Sequence, residues 1–171
     1  MRIVLLRHGP AGTRDPSRWP DDAARPLTSR GRERTRRAAQ GVRRLVDGVA
    51  LVLTSPLVRA RETADLLAAV VEPEKDVETL DSLAPGGSTR PILARLGRLE
   101  PDSTVVLVGH EPDLGKLAGL LVFGAPAPLP LKKAGACSIS FADSPAAGTG
   151  RVDWLLGPAL LRRLARRKDK A

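Results

Sequence analysis

The chain has 171 residues, enough for one domain with one hydrophobic core. It is 42% hydrophobic and 27% charged, which fits a globular protein and excludes a disordered one. The formal net charge is +9, carried by 22 arginines against 6 lysines, a bias that a GC-rich genome produces without selection for a binding surface. The basic groups, Arg30 to Arg44 and the tail Arg162 to Lys170, are not interleaved with the aromatic residues on which single strands stack. They read as solvated faces, or as a field attracting anionic substrates, and no nucleic-acid partner is expected. No apolar run approaches the about 18 residues of a membrane span. The run Ile3 to Leu6 is also too short for a signal-peptide core. Cys137 is the only cysteine, so neither an intrachain disulfide nor a cysteine metal cluster is available. The expectation is a soluble, cytoplasmic protein with no membrane partner, folded as a single domain over residues 1–171.

The elements alternate. Ile3 to Leu6 suits a buried parallel strand. A polar, proline-rich loop follows from Pro10 to Pro26. Thr28 or Ser29 then caps a helix running to about Asp47, with Ala38, Val42, Leu45 and Val46 on one face and Gly48 as its stop. Leu51 to Leu53 is a second strand. Pro56 fits the first turn of a helix with the stripe Leu57, Ala60, Ala64, Leu67 and Val71. A weaker strand lies near Val77 to Leu80, then a loop at Pro85 to Gly87 and a helix from Ser88 to Leu99. Thr104 to Val108 is the strongest strand, and Pro112 to Val122 the helix after it. Ala125 to Pro130 is a loop, because proline cannot join a ladder. Cys137 to Phe141 and Arg151 to Leu156 read as a late hairpin, and a basic helix closes the chain. This alternation predicts an α/β three-layer sandwich: a mostly parallel central sheet with helices on both faces.

The only two histidines fall in matching places. His8 follows Ile3 to Leu6, and His110 follows Val105 to Val108. Each sits at the carboxyl end of a strand, where α/β sheets open their ligand crevices. Each also has a neighbouring glycine, Gly9 or Gly109, that lets backbone approach a ligand closely. Two histidines without a nearby cysteine or carboxylate pair do not make a usual zinc site, so no metal or cofactor is expected. Imidazole is a competent nucleophile toward phosphorus. Arginine binds phosphate oxygens through a planar fork that stays charged. Arg7 precedes His8, and Arg59 lies at the start of the helix after the second strand. A phosphoryl pocket of Arg7, His8, Arg59 and His110 is therefore coherent.

These residues resemble the histidine phosphatase superfamily, which includes the phosphoglycerate mutases. Arg7-His8-Gly9, Leu27 to Gly31, Ser55 to Thr63 and Gly109-His110-Glu111 are similar to its motifs, in its order. Arg25 to Thr28, Leu83 to Gly87 and His110 to Pro112 look like its short bacterial phosphohistidine phosphatase branch, and the likeness extends over nearly the whole chain. The resemblance implies a phosphoglycerate mutase-like fold. It implies His8 as nucleophile, Arg7 and Arg59 on the phosphoryl group, and His110 completing the pocket. Gly9, the backbone amide of Glu111, and Arg25 are further candidates for contact with substrate. The expected substrate is a phosphohistidine-containing protein or a small phosphorylated molecule.

One position departs from the family. Its phosphomonoesterases and mutases carry an acidic residue after the second helix as general acid, and here that place falls on Ser82. Asp81 is the only adjacent substitute, and strand alternation can aim it elsewhere. An alkoxide leaving group needs a proton, whereas imidazole leaves readily. The departure therefore points toward phosphohistidine in a protein, as in phosphorelay signalling, with no cofactor. The alternatives are a small-molecule phosphomonoesterase using Asp81 and a non-catalytic phosphoprotein-binding module. Thr28 and Ser29 read as caps, Ser55 and Thr63 as local hydrogen-bonding groups, and Trp154 and Cys137 as core.

Overall fold

The computed structural model describes residues 1–166; the expected basic tail leaves the described residues at residue 167. Among the described residues, six strands and five α-helices follow in the order β1 (Arg2–Arg7), α1 (Ser29–Arg43), β2 (Leu51–Thr54), α2 (Val58–Val71), β3 (Glu78–Thr79), α3 (Thr89–Leu96), β4 (Thr104–Gly109), α4 (Asp113–Phe123), β5 (Ala136–Ser140), β6 (Arg151–Leu156) and α5 (Pro158–Leu164). The sheet order is β3-β2-β4-β1-β5-β6. The first four of these are parallel; β5 and β6 add as an antiparallel pair beside β1. The sheet is thus mixed, with its parallel part in the half that carries both histidines.

Side chains alternate across this sheet and build a core on each face. Ile3, Leu5, Leu53, Val105 and Leu107 meet Ile92 and Leu96 of α3 and Leu114 and Leu117 of α4. Val4, Leu6, Val52, Val106 and Val108 meet α1, α2 and α5 through Val42, Ala64, Leu67 and Leu161. Because helices cover both faces, β1, β2 and β4 are continuous apolar runs rather than alternating ones. This is the three-layer architecture expected from the sequence. Among the described residues, no helix is long and apolar enough to cross a membrane.

Some boundaries differ from the sequence reading. The helix α1 begins as expected, with the Thr28 hydroxyl accepting from Gly31 N–H at 2.9 Å. It ends at Arg43 rather than near Asp47, because the chain turns early enough to bury both Val46 and Val49 ahead of β2. Gly48, with φ of 60°, lies in that turn rather than at the helix end. Pro56 precedes the capping residue Leu57 and so stands outside α2. α3 is shorter than expected and stops at Leu96, with Gly97 as its cap. The strand near Val77 contracts to two residues at the sheet edge, where Arg95 grips Glu78 with two hydrogen bonds of 2.9 and 2.7 Å. Cys137 is buried on β5, and burial pushes its thiol up to about 11. Trp154 is half-buried against the α1, α2 and α5 side.

Candidate active site

The site begins with strand register. β1 and β4 pair in parallel with Arg7 opposite Gly109, so the next residue on each strand is a histidine. The ladder continues through His8 N–H to the Gly109 carbonyl at 3.0 Å. β2 lies on the other side of β4 with Thr54 opposite Val108, and Ser55 N–H reaches the Val108 carbonyl at 3.0 Å. The strand order β2-β4-β1 is therefore repeated just past the strand ends by Ser55, His110 and His8. The two imidazole centroids are 4.9 Å apart, close to the about 4.8 Å between neighbouring strands. Both rings are buried, as is Ser55.

His8 Nδ1 lies 2.7 Å from the carbonyl of Gly9. A carbonyl only accepts, so Nδ1 carries the proton and Nε2 keeps its lone pair. Gly9 N–H is in turn held by the Thr63 hydroxyl at 3.0 Å, and that hydroxyl donates to the Arg59 carbonyl at 2.7 Å. A Cβ at Gly9 would fall 2.0 Å from the Thr35 hydroxyl, so only glycine lets β1 run this close to α1. Burial pushes His8 down from 6.5 to about 3, against the Gly9 carbonyl, with His110, Arg59 and Arg7 adding repulsion. Burial likewise pushes His110 down to about 4, aided by Arg59 and Arg7 and opposed by Asp113 and Asp22. Both rings are neutral at physiological pH.

Each arginine is fixed by the opposite end of its own fork. Arg59 is buried on the first turn of α2. It donates through Nη1 to the Asp22 carbonyl at 2.8 Å and pairs through Nη2 with the Asp22 carboxylate at 3.1 Å. Arg25 grips the same carboxylate through Nε at 2.9 Å and donates Nη1 to the Gly12 carbonyl at 2.7 Å. Arg25 holds Asp22 well below the usual carboxylate range. Arg7 donates Nη1 to the Leu131 carbonyl at 2.8 Å, and the Glu111 carboxylate accepts from Leu131 N–H at 2.8 Å. The carboxylate of Glu111 is thus committed to the loop ahead of β5 and steadies Arg7 through one residue, Leu131. The Nε atoms of both Arg7 and Arg59 are buried without a partner, as is His110 Nδ1. Those three groups, beside one histidine lone pair, form a cluster suited to a tetrahedral oxyanion.

The fold brings Arg7, His8, Gly9, Arg59 and His110 together, with Arg25 tied in through Asp22. It does not bring in Asp81, which is exposed on a single helical turn spanning Asp81–Leu83. Ser82, its neighbour, lines a cavity of about 20 Å³ with His110 and Asp113, and its hydroxyl is buried without a partner. Asp113 Oδ2 accepts from Gly86 N–H at 2.8 Å. Asp22 escaped the sequence reading. Its only signal was the three-residue spacing to Arg25 inside a proline-rich loop.

Residues 3–84 match the histidine phosphatase superfamily (branch 1). An uncharacterized protein of Picosynechococcus sp. is 44% identical over 138 residues, covering 79% of this chain and 82% of that one. The phosphohistidine phosphatase SixA of Escherichia coli (strain K12) is 29% identical over 164 residues, 95% of this chain and 97% of its own. A solved structure of the protein histidine phosphatase SixA complexed with tungstate superposes with a TM-score of 0.81 at 26% identity, covering 94% of this chain and 99% of that one. With this fold, this pair of histidines and these relatives, the chain belongs to the histidine phosphatase superfamily, in the short branch that includes SixA, and is a phosphatase.

Proposed function

We propose that this phosphatase removes phosphoryl groups from histidine in a partner protein, through a covalent intermediate on His8 and without a metal or cofactor. His8 Nε2 attacks phosphorus, and the bond from phosphorus to the departing imidazole nitrogen breaks. That imidazole takes its proton from solvent. Water then attacks phospho-His8, the phosphorus–Nε2 bond breaks, and inorganic phosphate leaves. Arg7, Arg59 and His110 stabilise charge on the three equatorial oxygens. Gly9 keeps His8 in the nucleophilic tautomer through its carbonyl, and Arg25 supports Arg59 through Asp22. All of these act within a single catalytic domain spanning residues 1–171.

The observation that carries the choice of substrate is the leaving-group side of the pocket. Ser82, at the sequence position where the family resemblance leads one to expect an acid, lines the cavity beside His110, and Asp81 is exposed. Such a site is poor at releasing an alkoxide and adequate for imidazole. The name of the Escherichia coli relative agrees with that preference. Rates on a phosphohistidine peptide and on an alkyl phosphate ester, both in EDTA, test the reading with wild type and His8→Ala. Fast cleavage of the peptide, slow cleavage of the ester and an inactive variant are expected. Ester cleavage that matches or exceeds peptide cleavage would transfer the reading to a small-molecule phosphomonoesterase with Asp81 as acid. Binding of both without turnover would make the chain a phosphoprotein-binding module.

A further inference from the structure

Among the described residues, the Ser55 hydroxyl has two neighbours within hydrogen-bond range. Leu57 N–H lies 3.3 Å away and can only donate, so it takes a lone pair of Oγ. His110 Nε2 lies 2.8 Å away. Ser55 is fully buried, and a buried hydroxyl proton without an acceptor costs about 1–3 kcal/mol. The acceptor in range for that proton is Nε2 of His110. The ring is neutral at physiological pH, so it carries one proton, and a nitrogen that accepts from Ser55 cannot hold it. The proton then sits on Nδ1, the buried atom of His110 that has no partner of its own. The reverse tautomer would strand the serine proton and turn a bare lone pair toward anionic oxygens.

We infer that Ser55 is a positioning residue that locks neutral His110 as its Nδ1–H tautomer, making that N–H a dedicated donor to the phosphoryl group beside His8. The inference deepens the proposed function and rests on its placing the phosphoryl group against His8. It assigns the two histidines complementary duties from the same tautomer. His8, with Nδ1–H given to a carbonyl, presents a lone pair; His110, with Nε2 occupied by a hydroxyl, presents a proton. A neutral donor adds no positive charge to a ring that already faces Arg7 and Arg59, so neither arginine is opposed.

The chain has only two histidines, so nitrogen-15 labelling of histidine gives two rings, and His8→Ala identifies which is His110. At neutral pH, His110 in the wild type is expected to show a protonated Nδ1 and an unprotonated Nε2. In Ser55→Ala the ring should redistribute toward Nε2–H. The value of kcat/KM should fall by about a hundredfold to a thousandfold, the range for losing one preorganised donor. Ser55→Thr keeps the hydroxyl and should restore both the Nδ1–H signature and most of the rate. An Nε2–H signature in the wild type overturns the inference, and so does an Nδ1–H signature that survives in Ser55→Ala. Should the protein turn over no phosphorylated substrate while the Ser55-dependent signature is present, the tautomer lock stands and the proposed function fails.

Discussion

Two neutral imidazoles side by side have a measurable cost and a measurable benefit. Unfolding returns both rings to the ordinary 6.5, while the folded protein holds them near 3 for His8 and 4 for His110. Below pH 6.5 the unfolded chain therefore binds protons that the folded chain refuses. The stability tied to these rings is complete above 6.5, is lost progressively as pH falls, and stops falling once the folded rings protonate near 4 and 3. Urea unfolding measured across this interval should show the loss, and replacing either histidine by a neutral residue should reduce it. Activity should behave differently. The acid limb of kcat/KM that belongs to the free enzyme should lie near or below 4, not at 6.5. An enzyme group titrating near 6.5 would contradict the buried geometry of His8. At the same scale, Asp22 shows what the sequence could not reveal. A carboxylate becomes part of the candidate site here only because the loop folds back and sets it between Arg25 and Arg59. No periodicity marks that fold-back.

At the level of elements, the helices brace the strands at points where backbones nearly touch. Gly41 of α1 faces α5 so closely that an added Cβ would lie 2.1 Å from the Leu161 carbonyl. Gly41→Ala should force the two helices apart and cost about 1–3 kcal/mol, read from the urea midpoint. Its kcat under conditions where both proteins are folded should match wild type, because Gly41 lies beyond Thr35, the α1 residue that packs against Gly9. Such contacts were invisible in the sequence, where a glycine on the apolar face of α1 does not reveal which backbone it will meet. What was legible followed from local chemistry: apolar runs gave β1, β2 and β4, and Thr28 gave the start of α1. Helix ends were less legible. Burying Val46 and Val49, a tertiary demand, overrode the helical pattern that runs on to Asp47. The histidines stood out because each closes a readable strand. That Ser55 joins them depends on β2 and β4 pairing across some fifty intervening residues, a choice that only the assembled sheet makes.

For the molecule as a whole, the surplus of positive charge should act on encounter rather than on chemistry. A net charge of +9 raises the local concentration of anionic substrates, and salt screens it. Raising ionic strength should therefore lower kcat/KM for a phosphorylated substrate while leaving kcat nearly unchanged. An equal fall in both would place the salt sensitivity inside the pocket instead. The register between β1 and β4 has a different consequence. Because the gap between His8 and His110 is one strand spacing, it is maintained by main-chain hydrogen bonds that every residue type except proline can make. Substitutions elsewhere can accumulate without altering that gap, so the geometry withstands evolutionary drift. A one-residue insertion or deletion inside either strand cannot be absorbed in this way, since it would send one histidine to the opposite face of the sheet. The lineage is free to change its side chains and bound to keep its strand lengths.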